Sequence, residues 1–480
     1  MRLYRRQFLS MAARAASAMI LSACGSISET RPRQPTSTGT PRSTAPLTRT
    51  PTGEVPTSTP AIPAPTSTGT PRPIVGVTPS PTPASKTETP SVRANVDLQS
   101  PVGAIPATYF GMHIHRVATT TPWPAIPFGA WRLWDADVGW SDLEPRNGEW
   151  HFELLDQYVT LAQKHNVDLL LPLGFPATWA SARPDQRSPH FQPGSVAGPK
   201  YIEDWRRYIS TVARRYKGRI RNYEIWNEPN LPEYWTGTTK ELVNLAHEAS
   251  RILRDVDPSI TIVGPSATDS ETGPPWLDEY LSIGGGNYLD VIAHHLYVFP
   301  SPPETLTPFI GRVRQIIAKH GMSDKPLWNS EIGWALPKVF SSDMEAVGYL
   351  ARAYILNWVG GVERCYWYAW DNQEWATLLL TAEDSRTLKP AGVAFGEIEK
   401  WLIDARIVSY TIDRINTHHC RVTRGENYAA RILWNPDGAL SYTLPQEWGI
   451  RYMRDLTGAR RDVSREVSVK IGPVPILFEQ

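Results

Sequence analysis

Two glutamates stand out because of the residues that flank them. Glu228 follows Tyr223-Glu224-Ile225-Trp226-Asn227 and precedes Pro229-Asn230, while Glu331 follows Leu327-Trp328-Asn329-Ser330 and precedes Ile332-Gly333-Trp334. Each closes a short, largely apolar run, which reads as a β-strand ending in a carboxylate. Two carboxylates facing one acetal can cleave it, one protonating the leaving oxygen while the other acts on the far side of the anomeric carbon. Spacing alone carries little weight, because a chain with 48 acidic residues contains such pairs by chance. The elements around the two glutamates must show that they can meet.

From Asn95 onward, short apolar runs alternate with amphipathic segments, the pattern of repeated β-α units around a parallel sheet. Eight strands are expected, at Tyr109–His115, Ala130–Asp135, Val167–Gly174, Tyr223–Asn227, Thr261–Ser266, Val291–Tyr297, Leu327–Glu331 and Arg364–Trp370. Apolar residues recur at three- and four-residue spacing in Leu154–His165, Tyr201–Tyr216, Lys240–Asp255, Leu306–His320 and Asp343–Trp358, which predicts helices between the strands. The fold class is therefore α/β, a (β/α)8 barrel. Glu228 then closes the fourth strand and Glu331 the seventh, at the carboxyl ends where barrel loops collect catalytic groups.

The string Trp226-Asn227-Glu228-Pro229-Asn230, together with a glutamate closing strand seven, resembles the clan A glycoside hydrolases, and within them family 39, the β-xylosidase and exopolysaccharide-hydrolase group. The resemblance spans Tyr109 to Trp401. It implies a retaining glycosidase in which Glu228 is the acid/base and Glu331 the nucleophile, with Asn227 bonding the sugar 2-hydroxyl. Arg132 resembles the clan arginine that keeps the nucleophile ionised, the alternative being a structural salt bridge. His295 and Tyr297 resemble a pair lining strand six, the tyrosine donating to the nucleophile. Trp367 resembles the strand-eight floor of the cleaved sugar's subsite, with Trp370 competing for that role. His113 and His115 end strand one, where they touch the sugar or serve as core or lid histidines. Trp334, Trp235 and Trp375 are either aromatic platforms for further sugars or packing. The local fields are expected to drive the two carboxyl pKa values apart, with Arg132 and Tyr297 holding Glu331 charged.

Composition narrows the partners. Lysine plus arginine number 49 against the 48 acids, which argues against a nucleic-acid footprint and fits an uncharged substrate, an oligo- or polysaccharide. Nineteen tryptophans suit stacking on sugar rings as well as core packing. No cofactor is implied, and a monomer is expected.

At the amino terminus, residues 1–24 read as an export signal. Arg5-Arg6-Gln7-Phe8-Leu9 looks like a twin-arginine signal, and Leu21-Ser22-Ala23-Cys24 resembles a lipobox with Cys24 lipidated. The protein is accordingly expected on the outer face of the bacterial cytoplasmic membrane or at the cell surface, held there by lipid alone. Residues 25–94 read as a disordered linker, with PTSTGTPR at both Pro35–Arg42 and Pro65–Arg72 and no aromatic residue between Phe8 and Tyr109. The barrel takes 95–404 and a small β-sandwich takes 405–480, completed by residues near Val96 to Ile105. Cys365 and Cys420 are expected as two separate buried thiols.

Two rival readings use the same residues. In a metal-dependent barrel hydrolase, His113, His115, His295 and Asp371 would ligate the ion, although neither the fourth nor the fifth strand offers the lysine or histidine such a site needs, and both glutamates would go unexplained. In a sugar-binding protein with a decayed site, the aromatic platforms would remain without turnover.

Overall fold

The computed structural model describes residues 92–95, for which only the backbone is considered, and 100–480. The twin-arginine motif, Cys24 and the repeated proline-threonine tether lie outside the described residues. Val92–Asn95 is the first strand, β1. The next eight strands, β2 (Phe110–His113), β3 (Ala130–Arg132), β4 (Asp168–Leu173), β5 (Asn222–Ile225), β6 (Thr261–Thr268), β7 (Val291–His295), β8 (Leu327–Ile332) and β9 (Val362–Trp367), pair in chain order into a closed barrel. Every pairing is parallel. All eight strands read from the sequence are present.

Strands of a parallel barrel are covered on both faces, so they read as continuous apolar runs rather than alternating ones. β2, β5, β7 and β8 are accordingly buried at every position. Inward-pointing Ala130, Leu170, Val263, Val291, Ala293, Trp328 and Tyr366 form a cluster of their own inside the barrel. Arg364 closes its amino-terminal end, stacking 4.1 Å from the Trp328 ring centroid and pairing with Asp168 at 2.7 Å. The outward-pointing residues join the helices in the main core.

The barrel's described helices are α1 (Trp140–Leu143), α2 (Glu153–His165), α3 (Ile202–Arg215), α4 (Thr239–Val256), α5 (Gly273–Ser282), α6 (Leu306–Lys319), α7 (Asp343–Val359) and α8 (Pro390–Leu402). α4 starts at a capping box in which Thr238 and Glu241 bond each other's backbone N–H groups. α5 escaped the sequence reading because Pro274-Pro275 looks like loop, yet both prolines sit in its first turn, where no N–H is needed. α7 is buried at every position from Ala346 to Val359. A helix apolar all round needs cover on two sides, and here the barrel supplies one and the carboxyl-terminal β domain the other. At Gly348 a Cβ would come within 2.8 Å of the Pro473 carbonyl oxygen.

That β domain holds β10 (Arg406–Asp413), β11 (His418–Arg424), β12 (Tyr428–Trp434), β13 (Leu440–Thr443), β14 (Tyr452–Arg454), β15 (Arg460–Asp462), β16 (Ser468–Ile471) and β17 (Ile476–Glu479). They form a seven-stranded sheet in the order β1-β10-β11-β12-β17-β14-β15 and a two-stranded sheet of β13 and β16. Period-two alternation separates the faces of the large sheet. Ile432 and Leu477 join the barrel-side core, while Leu433 and Phe478 pack on Tyr442, Val469 and Ile471 of the small sheet. The strand added from the amino-terminal side is Val92–Asn95, antiparallel to β10, a few residues earlier than the segment the sequence indicated, and Ile105 makes a single bridge to Ile403. Cys365 and Cys420 are separate, buried and free. Among the described residues no helix is long and apolar enough to cross a membrane.

Candidate active site

Strand parity decides which side chains reach the barrel mouth. On β7, Ala293 points inward, so His295 and then Tyr297 do as well. On β3, Ala130 and Arg132 share the inward face. On β8, strict alternation from inward Trp328 would turn Glu331 outward, but the register with β9 breaks between Asn329 and Ile332, and the break brings Glu331 into the mouth. Beyond β5 the chain leaves strand geometry, with Trp226 at φ 67° and Glu228 at φ 45°. The Asn-Glu-Pro-Asn string accounts for how this bend is held. Glu228 N–H donates to the Ser266 carbonyl at 3.0 Å, and the Asn230 side chain both accepts from Thr268 N–H at 2.8 Å and donates to the Thr268 carbonyl at 3.1 Å.

Arg132 organises the centre. Fully buried, it donates through Nε to Glu224 at 2.6 Å, through one terminal nitrogen to Glu331 Oε2 at 2.7 Å, and through the other to Asn227 Oδ1 at 2.6 Å. The planar guanidinium can hold three partners at fixed angles, which an ammonium cannot. With Oδ1 taken, the Asn227 amide is oriented to donate. Glu224, which sequence reasoning passed over, accepts from Ser266 Oγ at 2.5 Å and balances the buried cation. Its signal was available, since Glu224 falls on the inward parity of β5 where an apolar residue is expected. Tyr297 donates to Glu331 Oε1 at 2.7 Å, so both oxygens of Glu331 have donors.

Glu228 shares a 2.8 Å hydrogen bond with His295 Nδ1. Burial pushes His295 down to about 4, so the ring is neutral, and its Nε2 has no protein partner. A neutral imidazole can donate to ionised Glu228 or, as the other tautomer, accept from the protonated acid, so the bond survives a change of charge. Burial also pushes Glu228 up to about 7 and Glu331 up to about 7. Arg132 pulls both down, a Thr268 hydrogen bond also lowers Glu228, and the Tyr297 hydrogen bond lowers Glu331. The two values are therefore not driven apart as expected. The pair holds one proton near neutrality, and the donors on Glu331 direct that proton to Glu228.

Several aromatic assignments are corrected. Because Tyr366 points inward, Trp367 points outward into the helix layer, fully buried and stacked 6.0 Å from Trp334 and 6.1 Å from Tyr354. It cannot floor a subsite. Trp370 is also buried, its indole N–H donating to the Ser385 carbonyl at 3.0 Å. The next inward residue of the eighth strand is Tyr368, whose ring meets His113 at 5.1 Å and Trp375 at 5.1 Å. Trp334 is no platform either: it is fully buried and donates to the Ser301 carbonyl at 3.1 Å. Trp235 is buried against Trp226. Half-buried Trp375, 5.4 Å from Tyr297, is the one of the three beside the mouth. In the long loop between β4 and α3, His190 stacks 5.2 Å from Tyr234, and Phe191 packs on Trp134.

The histidine-aspartate set of the metal reading has other work. Asp371 accepts from the N–H groups of His115 and Arg116 and from Thr121 Oγ1, which fixes the loop after β2. His113 is fully buried and donates through Nε2 to the Ser330 carbonyl at 3.1 Å, and burial with the nearby Arg132 charge holds it neutral. Among the described residues, Glu228, His295 and Glu331 have ligand-type atoms within 4.8 Å of one another. The Arg132 and Tyr297 donors already occupy both Glu331 oxygens, and a buried guanidinium repels a cation at that place.

A closed eight-stranded barrel with one glutamate beyond the fourth strand, one at the end of the seventh, and an arginine of the second bonded to the latter is the architecture of the clan A glycoside hydrolases. Residues 142–370 match the family model described as Glycosyl hydrolases family 39. It is 34% identical over 112 residues to a β-xylosidase of Caldicellulosiruptor saccharolyticus, covering 22% of each chain, and 26% identical over 164 residues to one of Geobacillus stearothermophilus, covering 32% of each. The matched part is thus about a fifth to a third of those curated relatives. In fold, the chain is similar to a family 39 glycoside hydrolase of Bacteroides cellulosilyticus, with TM-score 0.63 and 19% identity over 81% of this chain and 82% of that one. It is also similar to a family 39 β-xylosidase of Caulobacter crescentus, with TM-score 0.57 and 16% identity over 81% and 98%.

Proposed function

We propose that the protein is a retaining glycoside hydrolase that cleaves O-glycosidic bonds of an oligo- or polysaccharide through a covalent glycosyl-enzyme. The observation that carries this is the approach of the two carboxylates, with ligand oxygens of Glu228 and Glu331 within 4.8 Å of each other. Retaining enzymes place the groups ~5–5.5 Å apart, whereas inverting ones leave ~6.5–9.5 Å for a water. In the first step Glu331 attacks the anomeric carbon while Glu228 gives its proton to the departing oxygen. In the second, Glu228 takes a proton from water, which displaces Glu331 and restores both groups. Asn227 is placed to bond the 2-hydroxyl as charge develops on the ring.

The names of the curated relatives make aryl β-xylosides the first probes. Glu331→Gln and Glu228→Gln should each lower turnover at least ~1000-fold with the fold intact. NMR of the first-formed sugar should show the anomeric configuration of the substrate. An inverted first product sinks the retaining mechanism, and near-wild-type rates in either variant sink the assignment. A sugar-binding protein with a decayed site would release no glycan at all, but every side chain the chemistry needs is present. The sequence at Arg5-Arg6 and Leu21–Cys24 supports an exported, lipid-anchored enzyme at the cell surface. Labelling with a radioactive fatty acid, abolished by Cys24→Ser, tests that part.

A further inference from the structure

We infer that Asp135 is a specificity-determining third carboxylate of the mouth, one that accepts hydrogen bonds from ring hydroxyls of the glycosyl unit held against Glu331 and excludes units that carry a carboxylate. The inference rests on the hydrolase reading and names the class of sugar for that site, a neutral one.

Asp135 follows β3 three residues after Arg132. Leu133, Trp134 and Ala136 around it are buried, and Asp135 alone of this run is exposed. It sits at φ 56°, a left-handed conformation that costs a non-glycine residue free energy and that aspartate tolerates better than most. Tyr368 donates its hydroxyl hydrogen to Asp135 Oδ2 at 2.5 Å, and Asn372 Nδ2 donates to that hydroxyl at 2.8 Å, which fixes the direction of the phenol hydrogen. The Tyr368 ring continues to Trp375, and Trp375 to Tyr297, the donor to Glu331. Asp135 is thereby tied through adjacent side chains to the nucleophile, on the rim where a sugar attacked by Glu331 must lie.

The charge at this rim points to the class of sugar. Arg132, the cation between the glutamates, gives three of its five N–H groups to Glu224, Glu331 and Asn227, and two of those partners are carboxylates that already balance its charge. The Asp135 charge also reaches Glu228 and Tyr234, which marks it as part of the same electrostatic site. A fixed carboxylate accepts strongly from sugar hydroxyls and repels a uronate, so attraction and exclusion come from one group.

The test compares wild type with Asp135→Asn, which keeps the left-handed backbone available and removes the charge. The probes are 4-nitrophenyl β-xyloside, β-glucoside and β-glucuronide. Expected is a fall in kcat/KM of about 10- to 100-fold on the neutral glycosides. The efficiency ratio of glucuronide to glucoside should rise at least about 10-fold, with an unchanged melting temperature. An unchanged ratio, or unchanged efficiency on the neutral glycosides, overturns the inference while leaving the hydrolase reading standing. Equal falls on all three probes show a structural role only and overturn it as well. Wild-type inactivity on every aryl glycoside sinks the hydrolase reading and this inference with it.

Discussion

Replacing Tyr297 by phenylalanine removes one atom and one hydrogen bond, the 2.7 Å donation to Glu331 Oε1. Burial and the Glu331 charge push the phenol far above its ordinary range, so in the native protein it is a donor at every working pH. A hydrogen bond to a charged group contributes about 1.5–3 kcal/mol, which at 1.36 kcal/mol per unit corresponds to about one to two pKa units. The donor favours the ionised form, so its loss raises the pKa of Glu331. Attack needs Glu331 ionised, and the acidic limb of kcat/KM, set by a pair that titrates near 7, should therefore move up by about one unit. The maximum should fall about 10- to 100-fold because the proton is no longer directed to Glu228. The assay is kcat/KM on an aryl glycoside between pH 4 and 9. An acidic limb that stays in place, or moves down, refutes the claim that Tyr297 holds Glu331 charged.

Other substitutions test the neighbouring contacts. Arg132→Lys keeps the charge but cannot satisfy Glu224, Glu331 and Asn227 together, so kcat/KM should drop at least ~100-fold and urea stability by about 3 kcal/mol, and retention of both would contradict the three-way contact. Glu331→Gln should melt a few degrees above wild type at pH 8 but not at pH 4. The folded pKa near 7 lies above the unfolded ~4.3, so the native acid contributes stability that is complete below 4.3 and lost as pH rises through 7. Equal differences at both pH values would contradict the raised pKa. Trp334→Phe loses the bond to Ser301 and part of a buried stack, so stability should fall by about 1–2 kcal/mol while KM changes less than about twofold. A tenfold higher KM at unchanged stability would restore the platform role.

The barrel was legible because its signals are local and repeated. Each strand is an apolar run and each long helix an apolar stripe, and closure follows from having eight of them. Glu228 and Glu331 were also legible, because their neighbours fix them at strand ends, while Arg132, Asn227, His295 and Tyr297 were reached through the family resemblance, and the structure brings all six together. The eighth strand was misread for a physical reason. Trp367 and Tyr368 are adjacent, one residue reverses the face, and tryptophan was favoured by type, whereas parity counted from Tyr366 selects Tyr368. Trp334 was misplaced similarly, since its distance from a strand end gave no sign that its indole would turn into the core. Of the three partners of Arg132, only Glu331 was anticipated, through the resemblance. They come from β5, β8 and the bend after β5, and only barrel closure makes them neighbours.

The enclosed helix α7 has a consequence for how this chain comes into being. One of its flanks is covered by strands that leave the ribosome only after the whole barrel has been made. Until then an oily strip beside β8 stays wet, so a polypeptide stopped after α8 should aggregate or be degraded rather than persist as a smaller enzyme. Heating the mature protein should likewise melt barrel and β domain in one cooperative step, since neither can let go without baring α7.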